Sequence, residues 1–165
     1  ILMELSMLSS HLCLPRNGHL EAAYHIFAYL KKKLKGNQHC ILAFDDSEPY
    51  IDDSRFQDVD WKDFYGDVKE DIAPNAPKPW GRMAKMTVLV DADHAGNLAT
   101  RRSHTGLLIF IQMAPIIWYS KRQNTVESST FGSESVAMRT AVENVKALRY
   151  KLRSFGIPIQ GFKIH

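Results

Sequence analysis

Residues 86–96 read MTVLVDADHAG, an apolar run that ends in two closely spaced aspartates. The apolar run predicts a strand, and alternation along a strand turns Asp91 and Asp93 to the same face if the strand persists that far. The stretch therefore predicts a ledge of paired carboxylates at a strand end. Carboxylate oxygens are the ligands that hard cations prefer.

Two further apolar runs follow, at residues 105–111 and 116–119, and the segment QMAP at 112–115 joins them. These runs predict a hairpin with a short turn that contains proline. Residues 159–165 predict the start of a fourth strand.

A helix is predicted for about residues 129–155, because apolar residues recur there every three or four positions and Gly156 with Pro158 ends the pattern. The predicted apolar stripe consists of Met138, Ala141, Val142, Val145, Leu148, Leu152 and Phe155. Counting back four residues from Met138 gives Glu134, which is therefore predicted to lie on the buried stripe. A buried carboxylate is costly unless it is paired or binds a metal, so Glu134 becomes a candidate functional residue.

The rest of the chain divides into two predicted parts. Residues 1–44 contain an apolar helical pattern at 19–34 and a short strand pattern at 40–44, and residues 45–85 form an acidic, irregular insertion. Eleven of the 18 acidic residues and three basic residues lie within residues 45–71. The remainder of the chain is therefore strongly basic, which suits a polyanionic partner, although a solvated acidic loop beside ordinary basic surface gives the same pattern.

Two basic pairs flank the predicted hairpin. Arg101 and Arg102 precede Ser103, and Lys121 and Arg122 precede Gln123. We predict that both pairs, together with Ser103 and Gln123, contact nucleic acid. Cationic side chains beside hydroxyl and amide donors are typical of phosphate contacts. The alternative is that the basic pairs only cover the edges of the sheet as solubilising charge.

The cysteines and the hydropathy of the sequence indicate the cellular compartment of the protein. Cys13 and Cys40 have neither zinc-type nor disulfide spacing, which favours a reducing compartment. No apolar stretch reaches the roughly 18 residues of a membrane span, and the start does not look like a signal peptide, so we expect an intracellular, cytoplasmic protein that is neither secreted nor inserted in a membrane. Both ends read as parts of a longer chain.

Four segments in order, at residues 90–96, 100–106, 117–123 and 128–138, resemble the ribonuclease H domain of copia-type LTR retrotransposon Pol polyproteins. Residues 19–33 resemble the helix that those polyproteins place between the reverse transcriptase and that domain. The resemblance implies an α/β (α+β) ribonuclease H-like fold, in which a mixed sheet with an antiparallel hairpin is flanked by helices and residues 86–165 form part of the domain.

The resemblance also implies an activity, the hydrolysis of RNA in an RNA·DNA hybrid with two Mg²⁺ ions. By position, Asp91 and Glu134 match catalytic carboxylates that bind metal, and Asp93 matches a further aspartate of the metal site. The basic pairs would hold the backbone of the hybrid, which is recognised by shape and 2′-hydroxyls. The implied partner besides the hybrid is the remainder of the Pol polyprotein, in the virus-like particle of the parent element.

The sequence departs from that pattern in three places. His94 stands where the resemblance implies an aromatic residue, and residues 131–133 replace a more acidic approach to Glu134. A third carboxylate is expected at the end of the strand that begins near Ile159, and the sequence stops at His165. We therefore expect this polypeptide alone to be inactive or nearly so.

Two other readings stay open. In the first, the chain is a non-catalytic connection or interaction module of the same fold, in which Asp91 and Glu134 only make hydrogen bonds. In the second, residues 91–93 are the metal-binding acids of a sugar-nucleotide transferase. That class normally needs a nucleotide-binding domain before the acids, and the sequence has no glycine-rich phosphate loop of the required form.

Overall fold

The computed structural model describes residues 1–33, 47, 49–52, 54, 60, 62–67 and 72–164. The predicted strand at 40–44 lies outside these residues. The helices are α1 (Leu2–Ser9), α2 (Asn17–Lys33), α3 (Lys62–Tyr65) and α4 (Thr130–Ser154), and the strands are β1 (Ala84–Ala92), β2 (His104–Ile111), β3 (Ala114–Arg122) and β4 (Ile159–Ile164). Within the described ranges, no helix combines the length and the apolar character needed to cross a membrane.

The four strands form one mixed sheet in the order β3-β2-β1-β4. β1 pairs antiparallel with β2, β2 pairs antiparallel with β3, and β4 pairs parallel with β1. Because parallel neighbours need a long crossover, α4 makes the connection from β3 at one edge to β4 at the other. The predicted α/β class, a mixed sheet with flanking helices, is confirmed.

The core lies between one face of the sheet and α4. Met86, Val88, Leu107 and Ile109 from the strands pack with Ala141 and Val145 from the helix, and all six are buried. Since the pairing of β1 with β2 is continuous from residue 86 to residue 92, side chains alternate without interruption along this part of β1. Leu89 and Asp91 therefore point to the opposite face of the sheet, the face away from α4.

The predicted burial of Glu134 is wrong. The buried residues of α4 are Ser133, Ala137, Ala141, Val145 and Arg149, a row with a spacing of four. Met138, on which the prediction was anchored, is 43% exposed, and Phe155 is 76% exposed. Small side chains let α4 approach the sheet closely along this row, so Glu134, one residue further along, is turned into solvent.

The hairpin turn is shorter than predicted. β2 ends at Ile111 and β3 begins at Ala114, and Gln112 in the turn has a φ of 53°. Pro115 lies inside β3 beside a shift in register. This position is tolerated because β3 is an edge strand, where the missing N–H of proline costs no ladder hydrogen bond.

Two helices were not predicted. α1 lies within residues 1–14, where the apolar residues show no clear helical period. This helix contacts β3 and α2. α3 is a single turn within the acidic insertion.

Candidate active site

Asp91 is the last residue but one of β1, and its side chain is exposed. Its Oδ1 accepts a hydrogen bond of 2.8 Å from the N–H of Ala92, the next residue. Gly106 is its partner on β2, and Ser120 is the partner of Gly106 on β3. Two small residues beside Asp91 leave the carboxylate accessible from the face of the sheet that α4 does not cover.

An open groove of about 770 Å³ runs along this face of the sheet. Asp91, Asp93 and His104 line it on the side of the strands, and residues 1–3 at the start of α1 line it on the other side. The groove gives a ligand access to Asp91.

Asp93 lies just beyond the end of β1 and is tied to the start of β2. Its Oδ1 accepts a hydrogen bond from the backbone N–H of His104, and its own N–H donates to the carbonyl oxygen of His104 at 3.2 Å. The second oxygen, Oδ2, is 3.5 Å from Nδ1 of the His104 ring, which makes an ion pair only when the imidazole is protonated. Asp93 therefore closes the connection between the two strands, a structural role that the sequence did not predict.

His104 is 2% exposed, and neither of its ring nitrogens has a hydrogen-bond partner. Gly96 packs against the same carboxylate, since a Cβ at that position would lie 1.9 Å from Oδ2 of Asp93. The connection is thus packed tightly around Asp93.

Glu134 lies in the first turns of α4, beside the buried Ser133, and is exposed. Asp91 and Glu134 therefore come from different layers of the fold, the sheet and the helix that covers its other face. Across the part of the chain that the structure describes, no three or more His, Cys, Asp or Glu side chains are grouped so that they could hold a metal ion. The structure places Asp91 and Glu134 at the surface, but it does not group them with Asp93, the third predicted carboxylate, into a metal centre.

A buried network of small polar side chains holds the start of α4 against the end of β1. Oγ of Ser133 lies 2.9 Å from Oγ of Ser103 and 3.3 Å from Nδ1 of His94. Ser103 also accepts a hydrogen bond of 3.0 Å from the N–H of Ala95. Ser133 and Ser103 are almost fully buried, at 0% and 1% exposure. The network thus fixes the position of the residue next to Glu134.

Gln123 extends this network to the hairpin. Its Nε2 donates to Oγ1 of Thr105 at 3.0 Å and to the carbonyl oxygen of Ser133 at 2.9 Å, and its backbone N–H donates to the carbonyl oxygen of Ser103 at 2.7 Å. Three separate segments, the β1–β2 connection, the end of β3 and the start of α4, are therefore joined by one set of hydrogen bonds.

The structure does not favour Ser103 and Gln123 as nucleic-acid contacts, because both are buried, Gln123 at 5% exposure, and because Oγ of Ser103 and Nε2 of Gln123 make internal hydrogen bonds. A hydroxyl or amide next to a basic pair has the same local sequence whether it faces solvent or a neighbouring element. The available signal was the small residue Ser133 at four-residue spacing from Ala137 and Ala141, which indicates the row on which α4 meets the sheet.

The four basic candidates remain at the surface to different degrees. Arg101 and Lys121 are exposed, and Arg102 and Arg122 are half-buried. Because consecutive residues of a strand point to opposite faces, Lys121 and Arg122 do not form one patch. Lys121 points to the side of α4, and Arg122 points to the face that carries Asp91.

No model of a known protein family matches this chain, and no solved structure matches it. Over 70 residues it is 34% identical to a protein named Secreted RxLR effector protein 161, from Plasmopara viticola. That alignment covers 42% of this chain and 49% of the other protein, so the chain spans about half the length of the curated relative it matches.

Proposed function

We propose that this chain is a piece of a retrotransposon Pol polyprotein, and that its sheet and α4 belong to a domain that hydrolyses the RNA of RNA·DNA hybrids with Mg²⁺. The observation that carries the proposal is the exposed Asp91 at the end of the central strand β1, beside an open groove, within a sheet of one antiparallel hairpin and one parallel strand. This is the position and the setting that the resemblance of residues 90–96 implies.

Taken singly, the side chains of Asp91 and Glu134 have the chemistry that Mg²⁺ requires. The carboxylates of Asp91 and Glu134 are exposed, and in the described part of the chain no hydrogen bond or ion pair engages Glu134, whereas Asp91 accepts one bond from its own neighbour. Mg²⁺ keeps several waters and is usually bound through one or two carboxylates together with substrate phosphates. When bound, it supplies activation of the attacking water and neutralisation of the charge that develops on the phosphate.

In this proposal Asp91 and Glu134 would hold the metal, and the groove beside Asp91 would admit the hybrid. Asp93 contributes indirectly: its hydrogen bond to the backbone of His104 fixes the connection that follows β1. Ser133 holds the start of α4, and so positions Glu134. Arg101, Arg102 and Arg122 supply positive charge for the nucleic-acid backbone.

The test is hydrolysis of a labelled RNA·DNA hybrid with Mg²⁺ and with a chelator. It compares this chain with a longer version that continues through the next strand end, where the third carboxylate is expected. We expect Mg²⁺-dependent cleavage by the longer version, loss of cleavage with Asp91→Asn and with Glu134→Gln, and no effect of Glu21→Gln, an exposed acid on α2. Full activity in either of the first two variants would refute the metal assignment.

The second candidate is a non-catalytic interaction module of the same fold. The observation in its favour is that Asp93 is engaged with His104 and that the described residues contain no cluster of three potential metal ligands. Under this proposal the hybrid is bound equally well with and without Mg²⁺, and neutral replacements of Asp91 and Glu134 leave binding unchanged.

The cellular location expected for a Pol polyprotein also differs from the one in the name of the effector protein that this chain partly matches. The proposal of a polyprotein implies an intracellular, cytoplasmic protein, whereas the name of the relative states secretion. Fractionation of cells that express the full parent chain distinguishes these locations.

A further inference from the structure

A second groove lies between the end of β3 and α4, with a volume of about 370 Å³. The strand contributes Tyr119, Lys121 and Arg122 to its lining, and the helix contributes Arg139 and Glu143. Because the side chain of Arg122 points to the other face of the sheet, two cationic side chains, Lys121 and Arg139, meet one carboxylate around this small space. The balance of charge favours an anionic ligand.

The one carboxylate does not neutralise this groove. Oε1 of Glu143 lies 3.0 Å from Nε of Arg139, but the two side chains are 62% and 82% exposed, and a solvent-exposed ion pair contributes little. A guanidinium has five N–H donors, so this single contact leaves donors for a ligand. Lys121 makes no ion pair within the part of the chain that the structure describes, and it is exposed at the groove.

Tyr119 adds a neutral donor to the wall of the groove. Nδ2 of Asn144 donates to Oη of Tyr119 at 3.2 Å, so the phenol accepts that hydrogen bond and keeps its own proton for another partner. Burial raises the pKa of Tyr119 above its usual value of 10.0, and Glu143 raises it further while the bond from Asn144 lowers it. The phenol is therefore protonated, and a donor, at neutral pH.

The groove is separate from the carboxylates of the candidate active site. Val136, Arg139, Thr140 and Glu143 line it, and their spacing of three and four defines one side of α4. Glu134 is two residues before Val136, which is about 200° around the helix, so it points away from this side. Asp91 points to the other face of the sheet.

We propose that the groove binds a phosphate group, with Lys121 and Arg139 as the cationic contacts and Tyr119 as a hydroxyl donor. The phosphate belongs either to a small phosphate compound or to a nucleic-acid backbone, since both present the same oxygens to these donors. The inference goes beyond the proposed hydrolysis, because phosphate binding here requires neither Asp91 nor Glu134.

The test is calorimetric titration of the whole chain with inorganic phosphate at low ionic strength. Lys121→Gln is expected to weaken binding about tenfold, in the range of one lost charge-assisted hydrogen bond, and Tyr119→Phe more weakly in the same direction. Glu143→Gln is expected to strengthen binding about twofold to fivefold, because it removes the carboxylate that competes for Arg139. Lys146→Gln, an exposed lysine on α4 outside the groove, is the matched control.

A second titration with a short RNA·DNA hybrid identifies the source of the phosphate. If Lys121→Gln weakens both titrations and Lys146→Gln weakens neither, the ligand is a nucleic-acid backbone. If Lys121→Gln weakens only the titration with inorganic phosphate, the ligand is a small phosphate compound. The proposal is overturned if inorganic phosphate does not bind, or if Lys121→Gln and Lys146→Gln have the same effect on its binding. Neither result depends on hydrolytic activity, so the proposed function is judged separately.

Discussion

Replacement of Ser133 by alanine tests whether the buried network holds α4 to the end of β1. The hydroxyl of Ser133 is fully buried and contacts Oγ of Ser103 at 2.9 Å and Nδ1 of His94 at 3.3 Å. A buried hydrogen bond contributes about 0.5–1.5 kcal/mol net, so the loss of both contacts is expected to lower the free energy of unfolding by about 1–3 kcal/mol. A loss of about 2 kcal/mol lowers the Tm of a chain of this size by about 4–8 °C.

The assay is urea denaturation followed by circular dichroism, with thermal melting as a second measurement. Ser135→Ala is the matched control, because Ser135 is an exposed serine on the same helix whose hydroxyl donates only to the carbonyl oxygen of Phe131, at 2.8 Å. It is expected to change stability by no more than about 0.5 kcal/mol.

A double-mutant cycle isolates the contact between the two buried serines. Ser103→Ala and Ser133→Ala in one chain are expected to cost less than the sum of the single replacements, with a coupling energy of at least about 0.5 kcal/mol. Purely additive effects, or a Ser133→Ala variant as stable as Ser135→Ala, would show that the network does not hold α4 in place.

Three further replacements test other parts of the structure. Gly96→Ala places a Cβ 1.9 Å from Oδ2 of Asp93 and is expected to cost about 1–3 kcal/mol in urea denaturation, whereas Gly106→Ala, with its nearest atom at 3.9 Å, is expected to cost nothing. Equal effects would contradict the tight packing. Ser129→Ala removes the side chain that caps α4 by accepting from the N–H of Gly132 at 3.1 Å, and a loss of about 1 kcal/mol is expected from thermal melting. Burial raises the pKa of Tyr119, so its contribution to stability is complete below its ordinary value of about 10 and is lost as the pH rises through the higher folded-state pKa. Above a pH of about 10, Tyr119→Phe should therefore lose less stability with rising pH than the unchanged chain, and parallel pH profiles of the two would argue against this.

The strands of the sheet could be predicted because each has a local sequence pattern that is typical of a strand. The alternation and apolar character of β1 and of the hairpin define three strands, and Gly156 with a φ of 72° ends α4 where the sequence indicates. The order of the strands follows less directly. It requires the long crossover through α4, and the position of β4 beside β1 is a consequence of tertiary packing that no local pattern encodes.

The side of α4 that faces the sheet was predicted wrongly, and this error placed Glu134 in the core. The prediction followed the large apolar residues Met138 and Phe155, but the helix meets the sheet through small residues, because close approach of a helix buries whatever lies nearest the backbone. An error of one residue turns a helix by about 100°, which is enough to move Glu134 from the core into solvent. Periodicity identifies a helix more reliably than it identifies the central line of its buried face.

The aspartates of residues 91–93 have different roles because the strand ends between them. Asp91 still belongs to β1, whose backbone is already paired with β2, so its carboxylate has only the N–H of its neighbour to bind and stays available in the groove. Asp93 lies past the last paired residue of β1: its own N–H donates to the carbonyl oxygen of His104, and its carboxylate accepts from the N–H of His104. The end of strand pairing at Ala92 thus separates a carboxylate that is free for a ligand from one that is committed to the fold. In the proposed hydrolysis, Asp91 and Glu134 are therefore the metal ligands, and Asp93 stabilises the connection between β1 and β2.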